Sequence, residues 1–298
     1  MTIQLLDTWT LGITPRTAIE YNGKVYFTQI SGSGLEVRNA SDGTHVVSRT
    51  GYASDSRGIS AFGDNLYFSA TSTATVFSTQ TLTQTGTFGT FSYAWDNCVH
   101  NNELFIAGYG NVYRYSLPGL TLLNTYTAAM AAGVCGDPND TRYVYTAGLS
   151  VGVARINLTT GTVENLNCPN ASWAMYPVAS PTHLFVVNYS GDSVSVWSFA
   201  SQQWVANITH ANLSSPAKIV YAGDIFVICA SSKYLFRIST STLQVVDSVY
   251  CGGETGYWGL ATSQDLTKVY VPAANVCRVY ATGYTPPAEV SNGFFSMF

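Results

Sequence analysis

Nine side chains have the types and the setting for recognition chemistry: Arg16, Arg57, Tyr93, Trp95, Trp173, Tyr176, Lys218, Tyr257 and Trp258. They combine flat aromatic faces with cationic donors. Aromatic faces pack against the C–H faces of sugar rings, while short polar and charged groups satisfy the hydroxyls. The competing reading is structural: the same side chains can wedge between neighbouring elements and fix them. A second set, Glu20, Asp96, Asn97 and Asp137, offers the oxygen donors that a hard divalent cation takes. These four do not recur at one equivalent position, so no catalytic metal and no cofactor is expected. The histidines (His45, His100, His183, His210) are scattered, and His100 and His183 fall at turns where exposed or capping roles are ordinary. The chain contains no GxSxG elbow, HExxH, P-loop or dinucleotide-binding glycine fingerprint, so the expectation is a protein without a catalytic constellation.

The nine residues lie in short segments, residues 12–17, 51–58, 89–96, 126–133, 168–176, 209–218 and 251–259, that punctuate a repeated pattern. Alternating runs of one type, KVYFT, NLYFS, ELFIA, RYVYT, HLFVV, DIFVI and KVYVP, begin at Lys24, Asn65, Glu103, Arg142, His183, Asp224 and Lys268, spaced 41, 38, 39, 41, 41 and 44 residues apart. Each is preceded by a short small-residue strand and followed by a second alternating run such as ATVFS, NVYRYS or SVSVWS, often with a frayed fourth strand after a Thr-rich corner. Period-2 alternation is what a sheet packed between neighbours requires. Seven copies of about 40 residues have the period of a four-stranded propeller blade. The fold class predicted is therefore all-β: a seven-bladed β-propeller with four antiparallel strands per blade.

The seventh copy lacks a fourth strand, and the N-terminal run IQLLDTWTLG (residues 3–12) resembles the fourth strands of other copies. The N-terminal strand is predicted to complete the last blade, which leaves no unpaired edge at the closure. A single domain then covers residues 1–284, and residues 285–298 form a C-terminal tail. That tail ends in Phe294, Phe295, Met297 and Phe298, an apolar group predicted to dock into other structural proteins of a larger assembly, with folding back onto the propeller as the alternative.

Blade five, LFVVNYSGDSVSVWSFASQQWVANI (residues 184–208), resembles the YVTN-type propeller repeat in its apolar strand, Asn188, small turn and alternating SVSVW. The resemblance implies a fold that serves cell-surface binding modules, redox-enzyme scaffolds and sugar-lactone hydrolases alike. WD-repeat scaffolds fit less well, because a regular Trp-Asp ending is missing.

Composition narrows the setting. Charged residues are only 10% of the chain, against 46% hydrophobic and 13% aromatic, so the surface is neutral and rich in Ser, Thr, Asn and Tyr. A net charge of −4 with no basic block argues against nucleic acid as a partner. No stretch is long and apolar enough to insert in a membrane, and the N-terminal MTIQLLDTWTLG reads as no signal peptide. The six cysteines have neither CxxC nor zinc-ligand spacing and read as small buried hydrophobes, with one disulfide as the lesser reading. The resulting expectation is a non-enzymatic binding or structural module of a virion surface or other extracellular assembly, engaging surface glycans or proteins through its loops. The alternative is a lactonase- or quinoprotein-like enzyme working at the channel mouth.

Overall fold

The computed structural model describes residues 2–286 except 31, 33, 52–54, 129, 130, 150 and 151. Its strands form seven four-stranded sheets, all antiparallel, in the order in which the chain makes them, with one exception at the closure. Inner strands are Pro15–Tyr21, Gly58–Phe62, Ala94–His100, Ala131–Gly136, Ala174–Ala179, Pro216–Ala222 and the two-residue Ala261–Thr262. The exception is blade seven, whose outer strand is Gln4–Thr10; it pairs antiparallel with Val276–Ala281, from Gln4 opposite Ala281 to Thr10 opposite Val276. The molecule is thus a seven-bladed propeller closed by its N-terminal strand. The terminal group Phe294, Phe295, Met297 and Phe298 lies outside the described residues.

The alternation has a common structural consequence. The third residue of each second strand is aromatic: Tyr26, Tyr67, Phe105, Tyr145, Phe185, Phe226 and Tyr270, every one of them at most 1% exposed. Each points into the layer between two blades, where large flat side chains remove the most apolar surface from water. Two of the tyrosines have satisfied hydroxyls, the first within its own blade and the second across that layer. Tyr145 donates to Asp137 at 2.9 Å, and Tyr270 donates to Glu20.

Toward the axis the inner strands converge, and small residues become obligatory. A Cβ on Gly133 would lie 2.6 Å from the Tyr176 backbone of the next blade, and one on Gly58 would lie 2.5 Å from the Asn97 amide nitrogen. The outer strands face solvent instead, and carry half-exposed Leu5, Leu6, Leu122 and Leu123. All six cysteines are free thiols, three buried and three partly buried. Burial pushes the Cys229 thiol up to about 12 and Cys251 up to about 11, which keeps both protonated.

Candidate functional site

Five inner strands open with the same irregularity. The pairing register skips one residue between Pro15 and Thr17, Ala94 and Asp96, Ala131 and Gly133, Met175 and Pro177, and Pro216 and Lys218. The skipped residues are Arg16, Trp95, Ala132, Tyr176 and Ala217. A bulge of this kind bends the strand and re-aims the extra side chain. Arg16, Trp95, Tyr176 and Lys218, expected in loops, therefore stand on the first rungs of inner strands, while Arg57, Tyr93, Trp173, Tyr257 and Trp258 remain in the segments just before them.

At this end of the channel a cavity of about 200 Å3 is walled by Arg16, Arg57, Trp95, Leu149, Trp173, Met175, Tyr189 and Trp258, drawn from every blade except the sixth. Its walls form an ordered collar. Trp173 stacks on Tyr189 (ring centroids 6.0 Å apart, planes 27°), and Tyr189 stacks on Trp258 (5.6 Å, 18°). The Arg16 guanidinium lies over Trp258 at 5.2 Å. The Asp55 carboxylate stands between the two arginines, 3.6 Å from Arg16 and 2.7 Å from Arg57. Arg57 then covers Trp95 at 4.1 Å and Tyr93 at 5.8 Å. Each guanidinium–ring contact contributes about 0.5–2 kcal/mol, more where water is excluded. Both arginine side chains are largely buried, 13% and 15% exposed, whereas Trp173 and Tyr93 keep about half their surface open at the rim.

Holding these side chains requires unusual backbone. Asp55, Tyr93, Trp173 and Tyr176 all have positive φ, at 53°, 53°, 51° and 39°. For non-glycine residues that conformation costs about 1–2 kcal/mol each, and such strain concentrates at ligand sites.

Below the collar, Lys218 of blade six reaches across the channel to Asp96 of blade three, Nζ to Oδ1 3.2 Å, and its ammonium lies 3.8 Å from the Tyr176 ring centroid. The pair stands at the head of a second cavity of about 210 Å3 between the inner strands. Burial raises the Asp96 pKa, although Lys218 and backbone amides draw it back down. Burial likewise pushes the Tyr176 phenol up to about 12.

Tyr257 stands apart from the other eight. It is fully buried within blade seven, its hydroxyl 2.9 Å from Glu254, which Arg278 holds at 2.6 Å. The Arg278 hydrogen bond is the main reason the Glu254 carboxyl is held down at about 2. Tyr257 is thus a wedge that anchors the 251–259 segment, which leaves the next residue, Trp258, facing the mouth. The four candidate cation ligands do not converge. Glu20 is bound by Tyr270, Asp96 by Lys218 and Asp137 by Tyr145, while Asn97 donates to the Tyr67 carbonyl. Among the described residues no three His, Cys, Asp or Glu side chains are placed to hold a metal. His100 is buried rather than exposed, and burial lowers its pKa.

Tyr189, Leu149, Met175 and Asp55 are the collar members that motif reasoning overlooked. Tyr189 and Leu149 sit in turns between second and third strands, which open on the same face as the segments before the inner strands. The tyrosine of Asn188-Tyr189-Ser190-Gly191, an aromatic in a tight turn, was the available signal. In comparisons with known proteins, no family model and no curated sequence matches this chain.

Proposed function

We propose that this chain is a non-enzymatic binding module whose working surface is the collar at the channel mouth, and that it takes a ring-shaped ligand group, a sugar of a surface glycan. The observation that carries the reading is the cavity itself: flat aromatic and guanidinium groups from five blades converge on one open hollow. At about 200 Å3 it is smaller than the roughly 300–1,000 Å3 of sites that engulf whole ligands, so it suits one ring with the rest of the glycan outside.

The setting we propose is the surface of a virion or another extracellular assembly, as a decoration, spike or receptor-binding component. The sparsely charged surface and the half-exposed leucines on the outer strands support contacts with other structural proteins. Residues 184–208 support assigning the repeats to the YVTN type, in which cell-surface binding modules occur.

The experiment is a titration of purified protein with a panel of neutral and acidic oligosaccharides, read by tryptophan fluorescence and by ligand-observed NMR. Trp173→Ala, at a half-exposed position, is expected to weaken binding about tenfold or more with an unchanged circular dichroism spectrum. A panel without binders, together with stoichiometric metal or quinone in the purified protein, would overturn the reading in favour of an enzyme. Recovery of the protein free of any larger particle from its native source would overturn the proposed setting.

A further inference from the structure

The collar is not electrically balanced. Two guanidiniums, Arg16 and Arg57, share the single carboxylate of Asp55, and the shares are unequal. Arg57 donates to Asp55 from both Nε at 3.0 Å and Nη2 at 2.7 Å. Arg16 makes no hydrogen bond to any described residue; its nearest carboxylate is Asp55 at 3.6 Å. Beneath them the Lys218 ammonium is already matched by Asp96.

Arg16 is therefore a permanently charged fork with five donors, largely buried, and without an acceptor among the described residues. Its ion pair with Asp55, at 3.6 Å, is too long for a hydrogen bond; buried donors left without one are costly, and an arriving planar oxyanion recovers that cost through two parallel hydrogen bonds. The surplus charge also excludes the other ligand that aromatic collars favour. A ligand cation would meet Trp258 and Trp95 with guanidiniums already on their faces.

Resting on the glycan-binding reading above, we propose that the sugar bound at the mouth is an acidic one. Its ring carboxylate is received by Arg16, and its ring packs within the aromatic collar. Arg57, pinned by Asp55, orients that carboxylate electrostatically and holds the Trp95 side of the wall. The cavity's size for one ring sets the carboxylate on the ring that enters it.

The test uses matched pairs that differ in the acid: methyl glucuronide against methyl glucoside, and sialyllactose against lactose, titrated at low and at 0.5 M salt. The acid of at least one pair is expected to bind about tenfold or more tighter than its neutral partner, with the advantage shrinking in salt. Arg16→Gln is expected to abolish that advantage, weakening the acidic member of each pair more than its neutral partner. Arg16→Lys, which keeps the charge and loses the fork, recovers only part of it. Equal binding of acid and neutral sugars, or an unchanged preference in Arg16→Gln of native circular dichroism, overturns the acidic class and leaves the glycan reading standing. Competition by acetate as strong as by the acidic sugar overturns it too, since that marks a simple anion site. If no sugar of either kind binds, both readings fail together.

Discussion

Replacing Lys218 with methionine removes the ammonium that crosses the channel and leaves the Asp96 carboxylate buried opposite an apolar side chain. Both members of the pair are nearly enclosed, with side-chain exposures of 13% and 10%, so solvent screening does not rescue the orphaned charge. Removing one partner of such a pair costs about 3–5 kcal/mol, and loss of the contact with the Tyr176 ring adds about 1 kcal/mol. The first part depends on pH. The Asp96 pKa is already raised by burial in the folded protein, and without Lys218 it rises further. An acid with a raised folded-state pKa binds more protons folded than unfolded between its two pKa values. Its stability penalty is therefore absent below the unfolded value, about 3.9, and grows as pH climbs toward the folded one. Lys218→Met should lose little more than the ring contact near pH 4, and the full amount by pH 8. Urea unfolding followed by tryptophan fluorescence at several pH values measures this directly. The double variant Asp96→Asn/Lys218→Met, which carries no charge there, should regain most of the loss and lose the pH dependence. A penalty that is flat from pH 4 to pH 8, or absent at pH 8, would refute the reasoning.

Four other substitutions probe the frame. Trp9, 6% exposed and set against Tyr270 at 5.6 Å in the closing strand, should cost about 3–5 kcal/mol as alanine, and amide exchange should accelerate in Val276–Ala281; unchanged exchange there would separate Trp9 from the closure. Gly133→Ala forces a Cβ to within 2.6 Å of the neighbouring Tyr176 backbone and should destabilise by about 1–3 kcal/mol or more, whereas Gly253→Ala, with open space around it, should stay within about 0.5 kcal/mol of the parent. Equal unfolding midpoints for the two alanine variants would contradict the close approach of inner strands. Tyr145→Phe leaves Asp137 its amide donors from Asn139 and Asp140 but removes the phenol, and should cost about 1–2 kcal/mol in the same urea assay.

The sequence by itself determined the number of blades, their four-strand order and the closure, because alternation and turn chemistry are local demands that every copy must meet alone. The aromatic third residue of each second strand, from Tyr26 to Tyr270, shows the demand repeated: each blade must fill the same gap against its neighbour. Most of the mouth was legible for the same reason, since segments entering the inner strands must share one end of the ring. Only the tertiary structure decided which side chains meet there. Trp258 and Tyr257 are adjacent in the chain, yet one lines the cavity and the other is buried against Glu254, a choice made by where Arg278 sits in another strand. The bulges at Arg16, Trp95 and Tyr176 are properties of pairing between strands, so no single segment encodes them. Tyr189 reaches Trp258, Asp55 bridges two arginines, and Lys218 finds Asp96 122 residues away, because closing the ring brings distant blades within contact distance across the axis.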